Sequence, residues 1–297
     1  MPLVTILTPT YNRAELLYKL YNSLCQQNCK DFEWLVIDDG SIDDTKAVVN
    51  DFIAHAPFTV RFIRKANGGK HTAVNCGVKY VETELVMIVD SDDWLLPDAV
   101  AHIKSAYNQY QQENIGTFTF LRQYPDGTAI VSINKRQIVA NYIAFRIRGR
   151  RFGDMAEVFK TDILKKYPFP EFEGERFISE DVAWIEMAKK YDSVYFDQKS
   201  YVCEYLPDGL TVNDKEMKFS SPLGSMMRGK QLMYKKCGLI ANIKGAIIYN
   251  CYKTKITCIP DILKLDRREC FLQIITYPLG KLFYKKWMPT QEKRDLV

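Results

Sequence analysis

The chain has 297 residues, 47% hydrophobic and 26% charged, which gives it material for a sizeable core and excludes a disordered or collagen-like polymer. Its net charge of +5 conceals an asymmetry: residues 1–214 carry 24 Lys and Arg against 30 Asp and Glu, whereas from Lys215 onward 17 basic residues face 6 acidic ones, so a −6 body precedes a +11 tail. Eight cysteines without a CxxC pair argue against a disulfide framework or a zinc site, and no apolar run reaches membrane-spanning length. A strand pattern begins at Leu3 with no signal sequence ahead of it, so reduced thiols in a cytosol are expected.

In chain order, Leu3 to Thr8 reads as a buried strand broken by Pro9-Thr10-Tyr11-Asn12-Arg13. Ala14 to Gln27 follows as a helix with Leu16, Leu17, Leu20, Tyr21 and Leu24 on one face. Phe32 to Ile37 is a second strand ending in Asp38-Asp39-Gly40-Ser41, and a helix carrying Ala47, Val48 and Phe52 comes next. Val60 to Ile63 is a third strand, Asn67-Gly68-Gly69-Lys70 a glycine loop, and Thr72 to Tyr80 a helix leading to the apolar strand Leu85 to Val89. Strands alternating with helices at this spacing imply βαβ units and a parallel sheet. Further on, Leu96 to Tyr110 reads as an amphipathic helix. Gly116 to Tyr124 and Ala129 to Ile133 read as strands paired around Pro125-Asp126-Gly127, and Arg146 to Arg151 as an irregular basic loop. Ser179-Glu180-Asp181 starts a helix with Trp184 and Ile185 inward, and Tyr191 to Phe196 looks like a closing strand.

Three polar segments fall at the carboxyl ends of these strands: Thr10 to Arg13, Asp38-Asp39, and Asp90-Ser91-Asp92-Asp93. Successive right-handed βαβ crossovers present such ends at one edge, where ligands of open sheets bind. Like charges as close as Asp90, Asp92 and Asp93 repel unless a cation is bound, and oxygen-only ligands suit Mg²⁺ or Mn²⁺, which commonly hold substrate phosphates as well. A turn followed by a capped helix at Pro97 accounts for the same residues without function.

The residues Pro9-Thr10-Tyr11-Asn12, Ile37-Asp38-Asp39-Gly40-Ser41, Asn67-Gly68-Gly69-Lys70 with Ala73, Asn75 and Gly77, Asp90-Ser91-Asp92-Asp93, and Glu180-Asp181 resemble, in order, the family 2 glycosyltransferases. The resemblance implies a GT-A fold, α/β with a Rossmann-like, mostly parallel sheet flanked by helices. A catalytic domain over 1–214 would divide into a nucleotide-binding half (1–93) and an acceptor half (94–214), with a basic helical region over 215–297. It implies an inverting transfer from a nucleotide sugar, UDP-sugar first, with Mn²⁺ or Mg²⁺, to a hydroxyl of a cell-surface glycan or lipid-linked oligosaccharide. Thr8, Pro9, Thr10, Tyr11 and Arg13 would line the nucleotide, Asp39 would read the base, and Gly69 and Lys70 would approach phosphate or ribose. Asp90 and Ser91 would lie on the ribose side, and Asp92 would ligate the metal. Asp181, with Glu180 as its rival, would be the general base, and Asp154 and Glu157 would contact the acceptor. Relatives commonly place a histidine after the closing strand; here the histidines are His55, His71 and His102 alone, leaving Asp208 or water to stand in. Arg228 and Lys230 are further diphosphate contacts on this view.

The tail reads as basic amphipathic helices, Ile240 to Tyr252 and Cys270 to Trp287, suited to the inner face of a bacterial plasma membrane or to packing on a protein. No nucleic-acid-binding motif accompanies the charge. Two other classes share part of the pattern. A sugar-phosphate nucleotidyltransferase lacks support because no Gly- and Arg-rich loop follows the first strand, and a catalytically dead glycan-binding protein would have no use for intact Asp92 and Asp181.

Overall fold

The computed structural model describes residues 1–204 and 214–287. The chain divides into two compact units that interleave along the sequence: Met1–Asn141, Arg151–Pro168 and Met187–Glu204 form the first, and Tyr142–Arg150, Phe169–Glu186 and Tyr205–Val297 the second. Among the described residues no helix is long and apolar enough to cross a membrane.

The first unit is an α/β layer structure. Its elements run β1 (Val4–Thr10), α1 (Ala14–Cys25), β2 (Phe32–Asp38), α2 (Thr45–His55), β3 (Val60–Arg64), α3 (Lys70–Tyr80), β4 (Leu85–Ile88) and β5 (Trp94–Leu95). They continue with α4 (Ala99–Gln109), β6 (Ile115–Gln123), β7 (Gln137–Ala140), β8 (Met155–Lys160), a short helix α5 (Thr161–Leu164) and, after α6 (Asp181–Met187), the long strand β9 (Asp192–Val202). β3, β2, β1 and β4 lie side by side and parallel, and every residue of β1, β2 and β4 is buried. Helices cover both faces of such strands, which is why they read as unbroken apolar runs. The second half of the sheet mixes directions: β8 is antiparallel to β4 and β6, β6 is parallel to β9, and β5 and β7 are antiparallel to β9.

Strand order places the active edge. From β1 the chain winds outward through β2 to β3, then returns to the other side of β1 as β4. That reversal makes a topological switch point between the carboxyl ends of β1 and β4, where a crevice is expected. Gly77 on α3 lies against Leu7 of β1 and Ile37 of β2 so closely that a methyl group there would collide with both. Helix and sheet pack tightly beneath the crevice.

Two sequence expectations differ in detail. Around Pro125 to Gly127 the turn forms, with Tyr124 N–H donating to Thr128 O, but the second strand is reduced to a single bridge between Gln123 and Ala129. Gln137–Ala140 instead takes the edge of the sheet against β9. Within Arg146 to Arg151, the residues up to Arg148 belong to a π-helical turn, Ile143–Arg148, that buries Ile143 and Phe145; those two apolar anchors wind the basic segment into a helix turn.

The second unit is helical. α6 leads it, followed by α7 (Asp214–Ser220), α8 (Pro222–Leu232), α9 (Leu239–Lys253) and α10 (Arg267–Trp287). Glu175 caps α8: its carboxylate accepts the N–H groups of Leu223 and Gly224 at 2.7 and 2.8 Å, satisfying donors that a helix start leaves open. α8 and α9 cross at Gly229 and Gly245, where a Cβ on either would strike the other's carbonyl oxygen.

Candidate active site

The three strand-end segments expected to converge do so in the first unit. At the end of β1, Thr8 and Thr10 are buried, and Thr8 Oγ1 accepts the Trp34 indole N–H at 2.9 Å, so Thr8 belongs to the sheet interior. Pro9 is buried as well, while Tyr11, two residues on, is 43% exposed at the rim. Asn12 adopts φ +52° and stitches this loop to the next: its N–H donates to Ser41 Oγ and its Oδ1 accepts the Ile42 N–H. Asp38 braces the same loop by accepting the Ser41 N–H at 2.8 Å.

Asp39 is held from all sides. Its side chain is 4% exposed, and its two oxygens accept Lys65 Nζ (2.6 Å), Asn67 Nδ2 (3.2 Å), the Gly68 N–H (3.0 and 3.2 Å) and the Gly69 N–H (2.7 Å). Gly40 follows at φ +84°, and a Cβ there would lie 2.9 Å from the Asn67 backbone nitrogen, so only glycine lets the two loops approach this closely. Gly69, at φ +92°, is the N-cap of α3, whose first residue is Lys70.

The end of β4 is arranged differently. Lys70 Nζ lies 2.5 Å from Asp90 Oδ1, and Arg13 Nη1 lies 2.9 Å from Asp92 Oδ2. Arg122 extends from the end of β6 to within 3.9 Å of Asp90 and 3.7 Å of Asp93. Its guanidinium stacks 4.0 Å from the Tyr201 ring centroid, and its Nε donates to Met155 O. Tyr201 donates its hydroxyl to Asp93 Oδ2 at 2.7 Å and accepts the Asp90 N–H at 3.0 Å. β5 pairs Trp94 and Leu95 with Val202 and Tyr201, and this short ladder draws the acidic segment against β9. Ser91 is buried within the turn.

Three carboxylates with three cations do not share charge evenly. Burial works against ionised Asp90, but Lys70 and Arg122 outweigh it and hold its pKa below the usual carboxylate value. Burial first, and then the Asp90 charge, raise Asp92 despite Arg13. Burial and Asp90 likewise raise Asp93 to about 7, against the pull of Arg122 and the Tyr201 hydroxyl. Burial also pushes Tyr201 well above its ordinary value, so it stays a donor. Burial alone would weaken the Arg122 cation, yet Tyr201, Asp90, Glu157 and Asp154 more than compensate. Those last two, the residues singled out for acceptor contact, therefore lie within electrostatic reach of the same guanidinium. Glu157 stands on β8 opposite Thr119, and Asp154 is exposed just ahead of it.

Among the described residues no three His, Cys, Asp or Glu side chains form a ready-made metal cage. The donor chemistry nevertheless fits a hard divalent ion. Asp92 is a carboxylate raised in pKa by burial and by the Asp90 charge, and Mg²⁺ and Mn²⁺ are commonly held by one or two carboxylates with substrate phosphates supplying further oxygens. Asp208 and the segment after Glu204 lie outside the described residues.

Glu180 and Asp181 belong to the second unit, at the start of α6. Arg228 Nε lies 3.1 and 2.8 Å from the two Asp181 oxygens. Lys230, named beside Arg228 as a phosphate contact, instead donates to Ile262 O at 2.7 Å. Sequence reasoning missed Arg122, Tyr201 and Lys65, and gave Asn67 no role beyond its place in the glycine loop. Arg122 carried a signal, a charge closing the strand-like stretch Phe118 to Leu121; Tyr201 carried none, since the carboxylates it meets are more than 100 residues away in sequence.

The model of "Glycosyl transferase family 2" matches residues 5–161, more than half of the chain. A chondroitin synthase of Pasteurella multocida is 38% identical over 100 residues, which cover 34% of this chain but only 10% of that protein. The Campylobacter jejuni GalNAc(5)-diNAcBac-PP-undecaprenol beta-1,3-glucosyltransferase is 26% identical over 198 residues, 64% of this chain and 61% of the relative. Among solved structures, S. aureus TarS 1–349 in complex with UDP-GlcNAc shares the fold at a TM-score of 0.57 and 16% identity, covering 97% of this chain and 82% of that one. The mannosyltransferase PcManGT from Pyrobaculum calidifontis, in complex with GDP-Man and Mn²⁺, does so at 0.55 and 17%, covering 95% and 73%. The fold is the expected α/β GT-A arrangement, and the chain belongs to glycosyl transferase family 2.

Proposed function

We propose that this enzyme moves a sugar, with inversion, from a UDP-sugar to a hydroxyl of a cell-surface glycan or lipid-linked oligosaccharide, with Mn²⁺ or Mg²⁺ bound at Asp92. The observation that carries this reading is the cluster at the switch point: Arg13, Lys70 and Arg122 interleaved with Asp90, Asp92 and Asp93, a mixed-charge site suited to a diphosphate that arrives with a divalent cation. The names of relatives and neighbours agree, one being a chondroitin synthase, one acting on an undecaprenol-linked glycan, one binding UDP-GlcNAc and one binding Mn²⁺. On this reading residues 1–93 bind the nucleotide, residues 94–214 serve the acceptor, and the region 215–297 meets the inner face of a bacterial plasma membrane. The transferred sugar would be a hexose or an N-acetylhexosamine.

Tyr11, exposed at the rim, offers a ring for the base, and Thr10 and Arg13 continue that wall toward the diphosphate. Asp39 shapes the base pocket by fixing the loop at Gly68 and Gly69, so that Lys70 is delivered to the ribose and phosphate side. A bound metal supplies positive charge as the nucleoside diphosphate departs. Asp181 takes the proton of the acceptor hydroxyl while that oxygen bonds to the anomeric carbon and the bond to the diphosphate oxygen breaks. Arg228 holds both Asp181 oxygens and fixes the orientation of the carboxylate. Asp154 and Glu157, beside the Arg122 guanidinium, offer hydrogen-bond acceptors for the acceptor sugar.

A thermal-shift screen tests the donor: UDP and UDP-sugars with Mn²⁺ should raise Tm, because a ligand that binds only the folded state stabilises it. No shift with any nucleotide overturns the assignment. Asp181→Asn should retain that shift and abolish transfer; surviving transfer would move the base to Glu180.

A further inference from the structure

α10 is amphipathic in the sense opposite to a helix that merely packs on protein. The face it buries carries Glu269, Leu272, Thr276 and Gly280, of which Leu272 alone is large and apolar. Thr276 and Gly280 are buried, Asn250 Nδ2 of α9 donates to Gln273 O at 2.7 Å and Thr276 Oγ1 at 3.0 Å, and a Cβ on Gly280 would collide with Asn250. The face it turns to solvent is apolar. At about 100° per residue, Phe271, Ile274, Ile275, Pro278 and Leu282 share one arc of the helix. Phe271, Ile274, Ile275 and Leu282 are 64, 66, 54 and 59% exposed, four large apolar side chains on one continuous arc, whereas Ile42, Leu239 and Ile240, as exposed or more so, stand outside α10.

Among the described residues of α10 the exposed charges have one sign. Arg267 stands at one end, Lys281, Lys285 and Lys286 at the other, all exposed, and the helix's one acidic residue, Glu269, is buried and occupied with the Asp266 N–H. A second copy is a poor occupant, because pairing the same face across a two-fold axis would bring cations against cations with, among the described residues of α10, no exposed acid between them. An anionic lipid surface complements both features at once: apolar side chains enter the headgroup boundary while lysines meet lipid phosphates. We propose that α10 is a membrane-surface helix that seats the enzyme on an anionic bilayer through Phe271, Ile274, Ile275 and Leu282, with Lys281, Lys285 and Lys286 on the headgroups. This deepens the membrane contact included in the proposed function and gives it residues and a lipid chemistry.

The test is sedimentation of the full chain with vesicles of phosphatidylcholine containing about one-third phosphatidylglycerol, against phosphatidylcholine alone. Binding should favour the anionic vesicles and weaken with salt. Lys281→Gln, Lys285→Gln and Lys286→Gln combined should weaken it on the order of a hundredfold, at about fivefold per charge. Ile274→Ser with Ile275→Ser should abolish it on either vesicle while leaving the UDP and Mn²⁺ thermal shift intact, since these side chains are exposed and lie outside the strand-end site. The proposal is overturned if neither vesicle is bound, or if binding survives the isoleucine changes. It is equally overturned if sedimentation velocity shows a dimer that those changes dissolve and no vesicle binding. Failure of the donor reading would show separately, as a missing nucleotide shift in a chain that still binds lipid.

Discussion

The ends of β2 and β4 carry the same local sequence idea, acidic residues directly after a buried strand, and the folded chain uses them in opposite ways. Asp39 after β2 is saturated by a lysine, an asparagine side chain and two backbone N–H groups, all delivered by one glycine loop. The carboxylates after β4 are buried and crowd one another, and burial first, then the Asp90 charge, raise Asp92 and Asp93 in pKa even with Arg13 and Arg122 beside them. A satisfied buried carboxylate is architecture, whereas an under-compensated one invites a cation. The contrast separates the part of the site that shapes the pocket from the part that handles charge.

The sharpest way to break that contrast is Asp92→Asn. If Asp92 holds a metal as proposed, transfer should fall by about a thousandfold, while Tm stays level or rises because a disfavoured charge is gone. A matching loss of Tm would make Asp92 a structural partner of Arg13 instead. Asp39→Ala should behave the other way round. Stripping the acceptor from the Gly68 and Gly69 N–H groups and from Lys65 should destabilise the chain by about 2–4 kcal/mol in a denaturant titration and raise the donor KM. An unchanged unfolding midpoint would mean that the loop holds without it.

Asp93→Asn should give the smallest effect, and one that depends on pH. With a folded pKa of about 7 against an unfolded value near 4, the native state holds the extra proton between those limits, so stability drains away as pH rises through that window and stays reduced above it. An asparagine keeps an acceptor for the Tyr201 hydroxyl but never ionises. With a chelator present, its stabilising effect should grow from near zero at about pH 4 to about 1–3 kcal/mol at about pH 8, read as ΔTm. A gain independent of pH would remove Asp93 from the crowded set.

Much of this was legible because it is local. The buried runs of β1, β2 and β4 announce strands, Leu17, Leu20 and Leu24 announce the inner face of α1, and the glycine loop announces the start of α3. The expected cleft followed from strand order, and Asp90 to Asp93 sit at its edge as read. What the sequence hid depends on distant pairing. β9 runs on through the polar residues Asp197 to Ser200 because β5, β6 and β7 all lean on it, and that extension is what brings Tyr201 under Asp90 and Asp93. The segment Ala129 to Ile133 failed to become a strand for the same reason, since both edges of β6, its expected partner, went to β8 and β9. Asp39 was expected to read the base; that both its oxygens are instead filled from within the chain was not legible, because the donors arrive 26 to 30 residues later.

Pro278 sits in the middle of α10, on its apolar arc. It has no N–H, so the carbonyl of Ile274 receives no hydrogen bond from one turn ahead. In hydrocarbon an unmet carbonyl is costly, whereas among headgroups and water it is readily solvated. If α10 seats on a bilayer as proposed, the proline would act as a depth gauge: it would let the helix float at the polar boundary and penalise sinking further, holding the chain at the headgroup level.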